Sequence, residues 1–192
     1  MNTDFIKGVV VPMITPIDQD ELIDEKAIRS QVDYVIDGGV SGILLYGSNG
    51  EFYVIEEDEM ERGLKIVVDQ AAGRVPVYFG IGAISTKKCI RLAKMAAAGG
   101  AAGISVLQPM FLKPTETELF THFKAIADAV KDLPVLLYNN PGRVGYTLSA
   151  NLVERLAHEV PNIVGMKDTS GDITQTSEFI RRNRDIGFKV FG

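Results

Sequence analysis

Three short stretches hold side chains that could do chemistry together: GSNGE at 47–51, YNNPGR at 138–143 and GMKDTSGD at 165–172. Lys167 follows the apolar run Ile163-Val164-Gly165-Met166, which reads as a buried strand, so its amine is carried to a strand end. An ammonium is costly to remove from water, and a lysine so placed either snorkels outward or is used. Withdrawal from water favours a neutral amine, a nucleophile that can attack a ketone and lose water to give a Schiff base. Tyr138 offers a phenol that can relay protons to and from such an adduct. The backbone amides of the Gly-Ser-Asn-Gly turn, with the Ser48 hydroxyl, can hold a carboxylate beside it, and Arg143 adds a planar fork for a second anionic group. Thr169 stands at the same strand end as the lysine. Together these residues describe an enzyme acting on a 2-oxo acid.

Positioning such a set requires elements that end at one place. Short runs bounded by glycine or proline and rich in β-branched residues recur as GVVVPMI at 8–14, GILLY at 42–46, VPVYFGI at 75–81, GISVL at 103–107, PVLLY at 134–138, NIVGM at 162–166 and FKVF at 188–191. Between them lie helical patterns at 25–37, 56–71, 85–98, 115–130, 148–158 and 172–184. In the fifth, Leu148, Leu152, Val153, Leu156 and Ala157 share one face, and Ser149 and Asn151 are candidates to cap its start. Alternating strands and helices with connections of this length imply a parallel sheet, either doubly wound or closed as a (β/α)8 TIM barrel. A doubly wound fold usually carries a glycine-rich loop after its first strand, where this chain has ITPID. A barrel gathers reactive residues at the C-terminal ends of its strands. The expectation is thus a (β/α)8 TIM barrel truncated after strand 7, with seven strands and six helices. Residues 1–192 form an incomplete barrel domain whose eighth βα unit is absent.

Composition excludes several alternatives. The 192 residues are 46% hydrophobic and carry a net charge of −5, as an ordinary globular protein does, with no basic stripe for nucleic acid. No segment approaches the roughly 18 apolar residues of a membrane span, and the N-terminus does not read as an export signal. The single Cys89 lies in a helical pattern and reads as a free buried thiol, consistent with a cytoplasmic location. His122 and His158 sit in helical patterns away from any strand end and read as packing or surface residues. No His, Cys and carboxylate spacing suggests a metal, and no cofactor is implied.

The three stretches resemble, in order and approximate spacing, the signatures of the dihydrodipicolinate synthase and N-acetylneuraminate lyase family, and the similarity runs along the whole chain. The resemblance implies a TIM barrel followed by a small helical region, absent here, in chains of about 300 residues. It also implies a homotetramer and a class I aldolase reaction on pyruvate or a related 2-oxo acid. Carried over by motif, Lys167 is the imine lysine, Tyr138 the proton shuttle, and Ser48 and Asn49 the carboxylate-binding turn.

Two departures bear on the second substrate. Synthases of this family resemble each other in a Thr-Thr pair in the strand-2 turn and a tyrosine after strand 4 that crosses a subunit interface; here those places hold Ser48-Asn49 and Phe111. A phenylalanine cannot relay protons, whereas Arg143 agrees with the synthase pattern and its acidic aldehyde. Condensation of pyruvate with an aldehyde, cleavage of a sugar acid and dehydration of a keto-deoxy sugar acid all remain open, with weak activity on aspartate semialdehyde expected. Glu51 is expected to order its turn or cap the next helix. Other classes also stay open: an inactive fragment or assembly partner, and a phosphate-handling barrel isomerase.

Overall fold

The computed structural model describes residues 1–192, and its elements alternate as the sequence requires. Seven strands, β1 (Val10–Pro12), β2 (Gly42–Leu45), β3 (Val77–Ile81), β4 (Gly103–Leu107), β5 (Val135–Asn139), β6 (Ile163–Asp168) and β7 (Lys189–Phe191), form one parallel sheet in sequential order. The helices are α1 (Glu25–Asp37), α2 (Glu57–Ala71), α3 (Thr86–Ala98), α4 (Glu116–Asp128), α5 (Pro141–Val144), α6 (Ala150–Glu159) and α7 (Ile173–Arg182). This is the (β/α)8 barrel pattern through its seventh strand, with β1 and β7 each hydrogen-bonded on one side only.

There are seven helices where six are expected. The extra one, α5, is a single turn inside the YNNPGR stretch, begun by Pro141 at a position that needs no amide donor and stopped by Gly145 at φ +84°. Five of the six longer helices start with a side-chain cap, and α2, preceded by Glu56, is the exception. Asp24, Ser85, Ser149 and Asp172 accept from first-turn amides, and Thr115 with Glu118 forms a reciprocal capping box. Asn151 does not cap α6; its side chain accepts instead from Arg182 at 2.5 Å.

Side-chain alternation sorts the strands into two cores. Ile43, Leu45, Phe79, Ile104, Val106, Val135, Leu137 and Met166 pack outward against the helices in one large cluster. Leu44, Tyr78 and Leu136 point into the barrel, where Ile6 and Phe5 close the lower end. On β6 the alternation is broken. Val135 is opposite Ile163, but Leu136 is opposite Gly165, so Val164 is an extra residue and the register shifts by one. Gly165 suits this site because a Cβ there would stand 2.5 Å from the Lys189 carbonyl oxygen and 2.8 Å from a Leu136 methyl.

Candidate active site

Beyond the bulge the register places Tyr138 opposite Lys167 and Asn139 opposite Asp168. β6 runs two residues past the expected run, so the lysine belongs to the strand itself and is held by its ladder. Its Nζ lies 4.6 Å from the centroid of the Tyr138 ring. The amine lies over the phenol face rather than pointing freely outward. It also lines a cavity of about 360 Å³ in the barrel interior, together with Leu44, Tyr78, Ser105 and Leu136.

The Tyr138 hydroxyl is the meeting point of the site. Ser48 Oγ is 3.4 Å from it across the barrel mouth, and Asn140 Nδ2 donates to it at 2.8 Å. Burial pushes the phenol's pKa up, but the Ser48 hydrogen bond, the Lys167 charge and the nearby Thr169 and Asn140 groups outweigh it, and the net direction is down. A buried phenol whose acidity is raised by its neighbours in spite of its burial is suited to exchange protons.

Ser48 opens a short 3₁₀ turn, Ser48–Gly50, closed by bonds from Gly50 to Gly47 and from Glu51 to Ser48. The Ser48 and Asn49 amides head that turn and donate no bond within it, as the first amides of any helical turn are left. Thr15, three residues beyond β1, fastens the turn by donating to the Gly50 carbonyl at 2.7 Å. Glu51 orders its turn by closing it with its backbone, at φ +52°; the residue before α2 is Glu56, so Glu51 does not cap that helix. The Asn49 side chain is exposed.

Arg143 lies apart from the phenol–amine pair, whereas Thr169 is near enough to the phenol to help lower its pKa. Arg143 is exposed on α5 and its guanidinium makes no hydrogen bond or ion pair within the protein. The Thr169 hydroxyl donates to the Asn139 carbonyl at 3.1 Å, a bond that ties the ends of β5 and β6 together. Phe111 is 92% exposed at φ +82°, outside this cluster. His122 packs between α3 and α4, bonded to Thr86, and His158 is 3.8 Å from Asp185 on the surface, as expected of both. Cys89 is fully buried and its thiol is pushed up to about 11 by burial.

A layer of buried amides and a carboxylate behind the pair has no counterpart in the sequence expectations. Asn139 Nδ2 donates to Asp168 at 2.9 Å, and its Oδ1 accepts from Gln108 and from the Leu148 amide. Gln108 Oε1 accepts from the Asn140 amide at 3.0 Å. Asp168 also accepts from the Ser170 amide and hydroxyl and from Thr176. Each strand end thus alternates a reactive side chain toward the mouth with an anchoring one behind it. The polar residues following Tyr138 and Lys167 were the available signal.

Comparisons with known proteins point to one family. The model of the dihydrodipicolinate synthetase family matches residues 5–191. The 4-hydroxy-tetrahydrodipicolinate synthase of Pelobacter propionicus is 42% identical over 174 residues, which cover 91% of this chain and 59% of that protein. An enzyme of the same name from Thermus thermophilus is 39% identical over 186 residues, 96% of this chain and 61% of the relative. YagE of E. coli K12, a prophage protein of the dihydrodipicolinic acid synthase family solved in complex with pyruvate, superposes with a TM-score of 0.91 at 33% identity, over 95% of this chain and 62% of its own. The chloride-inhibited dihydrodipicolinate synthase from Acinetobacter baumannii, also complexed with pyruvate, gives 0.90 at 38% identity, over 96% and 62%. The chain spans about 60% of the length of the curated relatives it matches.

Proposed function

Because the chain belongs to the dihydrodipicolinate synthetase family, we propose that it carries the catalytic face of a Schiff-base-forming lyase acting on pyruvate or a related 2-oxo acid. The observation that carries the reading is the cross-strand pair of Tyr138 and Lys167, with Ser48 reaching the phenol from the opposite side of the mouth. Lys167 Nζ adds to the 2-oxo carbon, and the carbinolamine loses water as Tyr138 protonates the departing hydroxyl, leaving the imine. The phenolate then removes a proton from C3, the resulting enamine attacks an aldehyde whose oxygen takes that proton back from Tyr138, and water hydrolyses the new imine to free Lys167; the reverse sequence cleaves a 2-oxo acid. Ser48 and Asn49 hold the donor carboxylate with their amides and the Ser48 hydroxyl, and Thr169 lines the same strand end. Arg143, whose guanidinium has no partner in the protein, receives an anionic group on the acceptor.

The relatives' names favour the 4-hydroxy-tetrahydrodipicolinate-forming condensation. Phe111 at the place of the interface tyrosine favours an N-acetylneuraminate lyase-like reaction or a 2-keto-3-deoxy sugar acid aldolase or dehydratase. The proposal extends to a homotetramer in the cytoplasm, supported by the free buried Cys89 and by exposed Tyr53, Val54, Ile84, Phe111 and Leu112. It also includes an eighth βα unit and a C-terminal helical region outside these 192 residues. The one-sided pairing of β1 and β7 and the interior cavity bordered by both strands support that unit. The same open side favours the other reading, an inactive piece or assembly partner.

Pyruvate and borohydride decide the chemistry, since borohydride converts the imine to a secondary amine that stays fixed on the lysine. A reduced pyruvyl group at Lys167 of the full-length protein is the expected result. No adduct, or one at Lys113 instead, overturns the mechanism.

A further inference from the structure

The side chain of Asn140 does not do what its place in the chain would ordinarily give it to do. It precedes Pro141 at the start of α5, where an asparagine normally turns forward and accepts from a first-turn amide, a cap worth about 1 kcal/mol. No such bond is made. The side chain turns back two residues and donates to the Tyr138 hydroxyl at 2.8 Å, while its backbone N–H is held by Gln108 Oε1 at 3.0 Å and its carbonyl accepts from Arg143 and Val144. Asn140 is 9% exposed and Gln108 fully buried, so the amide is fixed from behind before it meets the phenol. We infer that Asn140 is a positioning residue for proton transfer, using its amide N–H to hold one side of the Tyr138 oxygen and direct the phenol's own proton toward Ser48.

The geometry leaves the phenol two routes, and Asn140 closes one of them. A donor on one side cannot take the Tyr138 proton, so the hydrogen points toward Ser48 Oγ, on the side of the mouth where the carboxylate-binding turn lies. Once the proton has left, the same N–H stabilises the phenolate, and hydrogen bonds to charged oxygens are roughly twice as strong as neutral ones. The net downward direction of the phenol's acidity agrees with this arrangement.

Few other groups can imitate the effect. The charged side chain facing the phenol is Lys167 on β6. From β4 come Leu107, opposite Tyr138, and Gln108, from the β2 turn comes Ser48, and beyond β6 comes Thr169, whose hydroxyl proton is committed to the Asn139 carbonyl; none of these titrates. Tyr46 nearby keeps its hydroxyl turned away against Gly63 of α2, and Asp168 is engaged by Asn139, Ser170 and Thr176.

The inference rests on the proposed role of Tyr138, and a double-mutant cycle in the full-length enzyme separates the two. Tyr138→Phe is expected to lower kcat by about 10²- to 10⁴-fold, the range of a general acid–base group. Asn140→Leu, close in shape, and Asn140→Asp, which replaces the donor with an anion, are expected to keep the borohydride-trapped adduct at Lys167 and lower kcat more than they raise KM for pyruvate. Removing a donor from a phenolate raises its pKa, so the ascending limb of the kcat–pH profile moves upward. The shift is about one pH unit in Asn140→Leu, a tenfold change in acidity, and larger in Asn140→Asp. In the Tyr138→Phe background the Asn140→Leu change is expected to be silent in kcat. A merely structural asparagine would lower thermal stability and leave the limb where it was, and that result overturns the inference. An Asn140→Leu effect that persists in full without the phenol overturns it as well. Unchanged kcat in Tyr138→Phe overturns the reading of the phenol itself.

Discussion

Replacing Asp168 by alanine tests whether the buried layer behind the site holds the two strand ends together. The carboxylate is 4% exposed and accepts four bonds: from Asn139 Nδ2 at 2.9 Å, the Ser170 amide at 3.1 Å, the Ser170 hydroxyl at 3.1 Å and Thr176 Oγ1 at 2.5 Å. The two hydroxyls can turn to water or to other acceptors, and Thr176 has the Asp172 carbonyl within reach at 3.1 Å. The Asn139 amide has less freedom: its residue is fully buried, and only Thr147 Oγ1, at 3.1 Å, accepts from it besides Asp168. Losing an acceptor in such a place costs about 1–3 kcal/mol, and the lost bonds to a charge from Ser170 and Thr176 bring the total to about 3–5 kcal/mol. Asp168→Asn keeps Oδ1 for Asn139 and the Ser170 amide and presents an N–H to hydroxyls that can accept it, so about 1 kcal/mol is expected. Urea unfolding of the full-length protein reads both. With m near 2 kcal/mol per molar, alanine lowers the midpoint by about 1.5–2.5 M and asparagine by about 0.5 M. Equal shifts for the two variants, or an alanine shift below about 0.5 M, would refute the idea that this carboxylate anchors β5 to β6.

Two further outcomes follow from single residues. His122 is buried against Thr86 with its Nε2 unpartnered, and burial pushes its pKa down to about 4. The unfolded chain takes up that proton from about pH 6.5 downward and the folded one only near 4, so stability is lost as pH falls through this window, by about 2 kcal/mol between pH 7 and pH 5. Urea unfolding at the two pH values is expected to show that loss shrinking by this amount in His122→Leu; equal losses would refute it. For the acceptor, a panel of aldehydes and sugar acids with pyruvate is expected to show Arg143→Ala raising KM only for anionic acceptors, with kcat/KM for aspartate semialdehyde below about 10⁴ M⁻¹s⁻¹. Efficient turnover of that aldehyde would show that Phe111 removes nothing essential.

Local chemistry made most of the fold legible, and long-range hydrogen bonding hid the rest. The β4 run at 103–107 coincides with its strand, and the α1 pattern at 25–37 with its helix, because apolar periodicity and capping are written in adjacent residues. The four residues of α5 are too few to show a period, so the turn in NNPGR read as loop. Lys167 and Tyr138 were found by type and strand-end position, but their direct opposition depends on a register that no single strand contains. Asn139, Asp168 and Gln108 were missed for the same reason. Their partners are about 30 residues away in the chain, as in the Gln108–Asn139 and Asn139–Asp168 bonds, and a polar residue after a strand does not announce which distant amide it will meet.

That register is where fold and chemistry join. Were β5 and β6 to continue from the Val135–Ile163 pair without interruption, Tyr138 would stand opposite Met166, and Lys167 would be matched with Asn139. A side-chain period of two means that such a slip turns every following residue to the other face. Lys167 would then point into the helical layer, among the apolar residues that Met166 now joins, and Asp168 would face the barrel mouth. The single extra residue at Val164 prevents this by giving the interior two successive positions, Val164 and Gly165, before alternation resumes. Only a residue without a side chain fits the second of them, between the Lys189 carbonyl and Leu136. The bulge therefore turns the amine toward the phenol and the carboxylate toward Asn139 in one step. The glycine two residues before the lysine is part of how the site is aimed.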